Sequence, residues 1–191
     1  MTGKIRIIGG FWRGRRLDVL DLPGLRPSGD RSRETLFNWL GPSIQGCDCL
    51  DLFAGSGALG LEAISRGASS ACLVEKSSAA SVHLKAQISS WDHSERVKII
   101  NASAFGLLAR ASGQYDLVFI DPPHGQELQM ESLVRLVEQQ KLRSNARVYV
   151  EYGLKEEWMG ERAEWLDREF DLIKQGRFGQ VGVSLFRVSA L

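Results

Sequence analysis

Two stretches of the sequence place an acidic residue directly after an apolar run, where a buried strand would end. The first is LDLFAGSGALG, with Asp51 before a glycine-rich loop, and the second is FIDPPHG, with Asp121 before two prolines. Prolines fix the backbone dihedral φ and lack an N–H donor, so Pro122 and Pro123 form a stiff corner. Such a corner is either a plain strand-terminating loop or a frame that holds a carboxylate and two carbonyl groups in place.

The glycine-rich stretch has the spacing of a nucleoside-binding loop. Gly55, Gly57 and Gly60 form G-x-G-x-x-G between a predicted strand and a predicted helix. Glycines at such a turn allow close approach of the backbone to a ligand. Glu75 ends the next predicted strand, where an acid can accept hydrogen bonds from ribose hydroxyls. The motif alone is weak, but its position and Glu75 favour a nucleoside cofactor over a purely structural glycine turn.

The acid before the loop indicates which nucleoside is bound. A dinucleotide places its pyrophosphate at a helix N-terminus, and a carboxylate there would repel it. Asp51 suits a cationic ligand, such as the sulfonium and α-ammonium groups of S-adenosylmethionine. The alternative role for Asp51 is a loop cap. A dinucleotide-dependent dehydrogenase would also need a separate substrate domain, for which 191 residues leave little room.

The order of predicted elements indicates an α/β fold. Short apolar strands alternate with helices from residue 47 to residue 152, a pattern typical of right-handed βαβ units in a parallel sheet covered on both faces. We predict a Rossmann-like, seven-stranded, mostly parallel, doubly wound sheet that closes with a C-terminal antiparallel hairpin. A small β-hairpin and helix extension precedes it, the helix beginning at a cap formed by Asp30.

The predicted strands are 4–8, 15–20, 47–53, 70–75, 97–100, 115–120, 146–152, 169–176 and 180–188; the predicted helices are 30–40, 58–67, 77–90, 103–111 and 127–140. We divide the chain into a basic extension, residues 1–41, and a catalytic domain, residues 42–191.

Composition restricts the class of protein. Hydrophobic residues make up 43% and charged residues 25% of the chain, which is typical of a soluble globular protein. There is no apolar run of the roughly 20 residues needed to span a bilayer, and the first residues lack the apolar core of a signal peptide. The three cysteines and three histidines have no metal-ligand spacing. We therefore expect a cytoplasmic protein without a structural metal or a membrane partner, and a monomer.

The net charge of +1 is unevenly distributed. Residues 1–33 carry eight basic and three acidic side chains, a net charge of +5, which leaves −4 for the rest of the chain. A basic, arginine-rich segment favours a phosphate-bearing partner such as a nucleic acid over a merely solvated charged face.

Together these motifs give a resemblance to a known family. D-x-F-A-G-S-G followed by D-P-P resembles the class I S-adenosylmethionine-dependent amino-methyltransferases. Over nearly its full length the chain resembles the bacterial 16S ribosomal RNA guanine-N2 methyltransferases, through IIGGFWRGRRL, RPSGDRSRETLFNWL, LDLFAGSGALGLEA, FIDPP and GQVGVSLFR. The resemblance implies transfer of a methyl group from S-adenosylmethionine to guanine N2, leaving S-adenosylhomocysteine. The implied partner is 16S ribosomal RNA, within an assembled or assembling small subunit.

The resemblance also implies roles for individual residues. Asp121 and the Pro122 carbonyl would accept hydrogen bonds from the target amine, Pro123 would stiffen the corner, and His124 stands where the family usually has Tyr or Phe to stack on the base. Stacking and a solvent-facing loop position are equally open for His124. The predicted cofactor-binding residues are Asp51, Phe53, Gly55, Ser56, Gly57, Glu75, Lys76, Ser103 and Ala104; the predicted RNA-binding residues are Arg13, Arg15, Arg16, Arg26, Arg31 and Arg33.

Three other functions stay open on the sequence. An amino-methyltransferase acting on DNA adenine or cytosine shares the D-P-P chemistry but usually has a target-recognition domain. An enzyme methylating a protein glutamine would carry Asn rather than Asp121 by resemblance, and the basic extension argues against it. A non-catalytic RNA-binding or assembly module would not need Asp51, Glu75 and Asp121.

Overall fold

The computed structural model describes residues 3–20, 29–110, 112–123, 125–126, 128–155 and 159–189. Its centre is a seven-stranded sheet with the strand order β5-β4-β3-β6-β7-β9-β8, in which the last two strands are antiparallel to their neighbours. This confirms the predicted doubly wound sheet with a C-terminal hairpin. The strands are β1 Lys4–Arg6, β2 Arg16–Asp18, β3 Asp48–Asp51, β4 Ser70–Glu75, β5 Val97–Asn101, β6 Tyr115–Ile120, β7 Leu142–Gly153, β8 Phe170–Phe178 and β9 Val181–Val188.

Helices cover both faces of the sheet. The α-helices are α1 Asp30–Leu40, α2 Ala58–Ser65, α3 Ser78–Ile88, α4 Ala104–Leu108, α5 Leu128–Glu138 and α6 Ala163–Glu169. Helices α1, α2 and α3 contribute to one apolar core, and α4, α5 and α6 to a second core on the opposite face. Helix α6 was not predicted from the sequence, because it is short and buries only one side chain, Leu166, so that no apolar period can be detected.

The N-terminal hairpin packs on the α1–α3 face. Strands β1 and β2 pair as the predicted hairpin, and Ile7, Trp12 and Leu17 enter the same core as α2. Helix α1 has the predicted bounds, but the expected Asp30 cap is wrong. Gly29 occupies the N-cap position without a side-chain bond, and Asp30 is the first helical residue, where its carboxylate pairs with the guanidinium of Arg33.

Among the described residues, no helix is long and apolar enough to cross a membrane.

Candidate active site

Three predicted acids lie on one face of the sheet at its carboxyl edge. Asp51 at the end of β3 is in register with Leu73 of β4 and with Phe119 of β6. Side chains alternate between the two faces of a sheet, so Glu75 and Asp121, each two residues further on, share the face of Asp51. Strands β4 and β6 flank β3, and this is the point where the strand order reverses, at which open α/β sheets bind ligands.

Asp51 is buried, with only 2% of its surface exposed. The Gly60 amide donates a hydrogen bond of 3.2 Å to its Oδ2, while Oδ1 has no partner in the described part of the chain. Burial raises the pKa of Asp51 to about 7; the backbone amides of Gly60 and Phe53 oppose this shift, and the charges of Asp121 and Glu75 add to it. No basic side chain of the described residues acts on the Asp51 carboxylate, which fits a cationic ligand.

Glu75 connects the two loops that follow β3 and β4. Its Oε2 accepts a hydrogen bond of 2.9 Å from the Gly55 amide, and its Oε1 accepts one of 2.6 Å from the Ser77 amide. Gly57 has φ of +79° at the start of α2, a conformation that side chains rarely adopt. A Cβ on Gly60 would lie 2.6 Å from Leu73 Cδ1, so this glycine is required for α2 to pack on β4.

The remaining predicted cofactor residues surround this loop. Asn101 at the end of β5 donates hydrogen bonds to the carbonyls of Glu75 and Lys76, which fixes the end of β4. Ser103 is the N-cap of α4, since its hydroxyl accepts a bond of 3.1 Å from the Gly106 amide. Phe53 is half-buried against the core on the α4–α6 face, Ala104 is buried in that core, and Ser56 is half-buried in the loop.

The proline corner follows β6 directly. Asp121 and Pro123 are half-buried and Pro122 is buried. His124 lies outside the described residues, so its predicted stacking role stays a prediction.

A fourth acid, Glu151 in β7, was missed by the sequence analysis. It is 5% exposed, and the hydroxyl of Tyr149 donates a hydrogen bond of 2.9 Å to its Oε2. Burial raises the pKa of Glu151 to about 8; the charge of Asp121 adds to the shift, and the Tyr149 bond opposes it. The available signal was an acid inside the apolar strand VYVEY, at the same edge of the sheet as Asp121.

Glu151 faces a cavity of about 270 Å³. The cavity lies between the first turn of α1 and the turn that joins β8 to β9, which places it beyond the carboxyl end of β7. Its lining combines one acid, two arginines and small or apolar groups. The lining residues are Gly29, Arg31, Ser32, Glu151, Arg177, Phe178, Gly179 and Val181.

The predicted RNA-binding arginines fall at different places. Arg31 lines the cavity at the carboxyl edge. Arg13 and Arg15 lie at the tip of the N-terminal hairpin. The tip contacts Ser65 at the end of α2, and Arg15 pairs with Asp92 after α3. Both contacts are at the amino edge of the sheet, opposite to the candidate site. Arg16 is exposed in β2. Arg26 lies outside the described residues.

The predicted role of Arg33 in RNA binding is wrong. We expected a phosphate contact, but its side chain is 1% exposed. Its guanidinium donates two bonds of 3.1 Å to the carbonyl of Arg6, pairs with Asp30 and lies 3.8 Å from Glu62 Oε2. A guanidinium so enclosed cannot reach a phosphate, so Arg33 holds α1 against the hairpin and α2.

The chain is similar over most of its length to proteins of one family. The family model described as conserved hypothetical protein 95 matches residues 5–187. Ribosomal RNA small subunit methyltransferase D of Escherichia coli is 42% identical over 189 residues, 99% of this chain and 92% of the relative. The protein of the same name from Haemophilus influenzae is 45% identical over 152 residues, 78% of this chain and 79% of the relative. The solved structure of yhhF from Escherichia coli matches with a TM-score of 0.84 at 40% identity, covering 99% of this chain and 100% of that one.

The match of nearly the whole chain, in sequence and in structure, goes well beyond a shared fold. The chain therefore belongs to the conserved hypothetical protein 95 family, the family of the ribosomal RNA small subunit methyltransferases D, which are class I S-adenosylmethionine-dependent methyltransferases.

Proposed function

We propose that this protein transfers a methyl group from S-adenosylmethionine to the exocyclic N2 of a guanine in 16S ribosomal RNA of the small subunit. The observation that carries the proposal is the placement of Asp51, Glu75 and Asp121 on one face at the reversal of strand order. Two relatives that match this chain over most of its length are named as small-subunit ribosomal RNA methyltransferases.

The donor side of the site would be formed by β3, β4 and the glycine loop. S-adenosylmethionine supplies a methyl group attached to a cationic sulfur. Asp51 would bind its positive charge, since the carboxylate is buried and one oxygen lacks a partner in the described chain. Glu75 would accept hydrogen bonds from the ribose, and the turn at Gly55 and Gly57 would leave room for the ligand beside the backbone. Phe53, Ser56, Lys76, Ser103 and Ala104 would complete the pocket.

The acceptor side would be formed by the proline corner. The guanine amine is a poor nucleophile, because its lone pair is delocalised into the ring. The Asp121 carboxylate and the Pro122 carbonyl would each accept one N–H, which favours a tetrahedral nitrogen and directs its lone pair towards the methyl group. Pro123 would limit motion of both acceptors. The amine proton is lost to Asp121 or to water after transfer.

The RNA would approach the carboxyl edge of the sheet. The target amine is on the edge of a base, so the nucleotide must be unstacked to enter the site. Arg31 and Arg177 lie at the cavity beside this edge and would bind flanking phosphates. The chain is small, which favours recognition of a folded RNA surface within an assembled or assembling small subunit over reading of a long sequence.

The test is transfer of tritium from labelled S-adenosylmethionine to naked 16S RNA, small subunits, DNA and protein, followed by nucleoside mass spectrometry. We expect N2-methylguanine at one position of 16S RNA, and a loss of at least 100-fold in Asp121→Ala and in Asp51→Ala. Asp167→Asn, an exposed change on α6, is the control and should keep full activity. Label on DNA or on protein only, or a different methylated base, would overturn the proposal.

A further inference from the structure

We infer that Glu151 selects guanine as the target base, by accepting the hydrogen bond that guanine N1–H donates while the N2 amine is held at Asp121. This inference rests on the proposed function and goes beyond it, because it assigns base specificity to a residue outside the motifs of the sequence.

The first support is the position of Glu151 beside Asp121. Ile120 of β6 and Val150 of β7 are the last pair in the parallel ladder. Asp121 follows the end of β6 and Glu151 is the next residue of β7, and the two strands are about 4.8 Å apart. Their side chains are on the same face, and the charge of Asp121 raises the pKa of Glu151, second to burial. Two carboxyl groups therefore stand next to each other at one edge of the sheet.

The second support is that Glu151 faces free space. It is the only acid among the residues that line the cavity of about 270 Å³, in the part of the chain that the structure describes. Its orientation is fixed on the other side, because Tyr149 donates to Oε2 and the Gln129 amide donates a bond of 3.2 Å to the Glu151 carbonyl. Arg31 and Arg177 line the same cavity.

The third support is the pattern of hydrogen-bonding groups on the bases. In guanine the reactive amine lies between N1–H, a donor on the Watson–Crick edge, and N3, an acceptor. In adenine and cytosine the ring nitrogen beside the amine is an acceptor. An ionised carboxylate can only accept. A guanine with its amine at Asp121 therefore presents a donor to Glu151, whereas adenine or cytosine would place an acceptor against an acceptor, which a buried site rejects strongly.

The experiment pairs a variant with a changed base. The target guanosine in a synthetic RNA, alone or reconstituted into the small subunit, is replaced by 2-aminopurine riboside, which keeps the 2-amine but lacks N1–H and O6, and the Glu151→Gln variant separates the loss of N1–H from the loss of O6. At pH 8.5, above the pKa of about 8 that burial gives Glu151, we expect kcat/KM of the wild type to fall 10- to 100-fold on this substitution. In Glu151→Gln we expect a similar loss on guanosine and little further loss on 2-aminopurine, because the amide can donate to the ring nitrogen.

Two controls separate the possible failures. Glu138→Gln, the same substitution at an exposed position of α5, should keep the wild-type ratio between the two RNAs. Binding of labelled S-adenosylmethionine and Tm show whether Glu151→Gln folds. If that variant keeps the wild-type ratio, or if the wild type itself treats both bases equally, the assignment of Glu151 is wrong while the proposed function stands. If the wild type methylates no guanosine in RNA, both are wrong.

Discussion

Asp51 shows at the level of a single residue how a binding group can cost stability. Its carboxyl has a pKa of about 7 in the folded protein because it is buried, against about 3.9 in an unfolded chain. The folded state therefore binds this proton more tightly. This tighter proton binding stabilises the folded state. The stabilisation is complete below pH 4 and is lost as the pH rises through 7. At neutral pH a bound cation would recover part of this loss.

The Asp51→Asn variant should therefore be more stable than the wild type at pH 8 and no more stable at pH 4. We expect a Tm higher by about 4 °C or more at pH 8 without ligand. The variant should lose at least 10-fold in affinity for S-adenosylmethionine. Thermal unfolding from pH 4 to pH 9 and equilibrium dialysis measure the two effects; parallel Tm profiles for both proteins would contradict the prediction.

His124 is the position at which this chain departs from the family it resembles. If its ring stacks on the target base, His124→Tyr keeps or raises kcat/KM, because a larger aromatic face stacks more strongly. His124→Ala should lower kcat/KM by about 10-fold, the effect of removing one aromatic ring from a stacked base. Steady-state methyl transfer to small subunits measures all three proteins, and equal rates would assign His124 to the solvent-facing alternative.

At the level of elements, the strands and most helices followed from the sequence because their apolar runs are bounded by glycine, proline and acidic residues. Sheet order and register did not, because they depend on pairing between distant segments. Register is what places Glu151 beside Asp121, and an acid at position 151 is otherwise only an interruption of an apolar strand. Similarly, the sequence assigned Arg33 to a basic surface, because charge content does not indicate that a buried acid, Glu62, lies opposite it.

Glu62 is the point at which three elements meet. It is fully buried in α2 and accepts hydrogen bonds of 2.7 Å and 2.8 Å from the amides of Ile8 and Gly9 after β1, and one of 2.7 Å from Arg66 Nε. Its Oε2 also lies 3.8 Å from Arg33 of α1. If the carboxylate is removed, the two amides and Arg66 each lose a hydrogen bond, while Arg33 keeps Asp30 and the Arg6 carbonyl as partners.

We expect Glu62→Ala to lower the free energy of unfolding by about 3–5 kcal/mol, because it leaves two backbone amides without an acceptor and removes the buried carboxylate that faces the Arg33 guanidinium. Glu138→Ala on the surface of α5 should change the free energy by less than about 0.5 kcal/mol. Urea unfolding monitored by circular dichroism measures both variants. A loss below about 1 kcal/mol in Glu62→Ala would mean that the Glu62 carboxylate does not hold the N-terminal hairpin in place.

At the level of the whole molecule, the arginines define two separate surfaces. Arg31 and Arg177 lie beside the candidate active site at the carboxyl edge of the sheet. Arg13 lies at the hairpin tip, near the amino edge, and Arg16 is exposed nearby on β2. A bound RNA that touches both surfaces would extend along the α1–α3 face of the protein, well beyond the single nucleotide that reacts.

The salt dependence of binding distinguishes such an extended interface from a local one. Removing one arginine–phosphate ion pair should reduce the slope of log K against log salt by about 0.7–0.9, because fewer counterions are released. We therefore expect Arg13→Gln with Arg16→Gln to reduce the slope by that amount for each arginine and to raise KM while kcat stays unchanged. Arg168→Gln on exposed α6 is the control and should leave the slope unchanged. If the double variant also keeps the wild-type slope, the hairpin does not contact RNA, and phosphate binding is confined to the carboxyl edge.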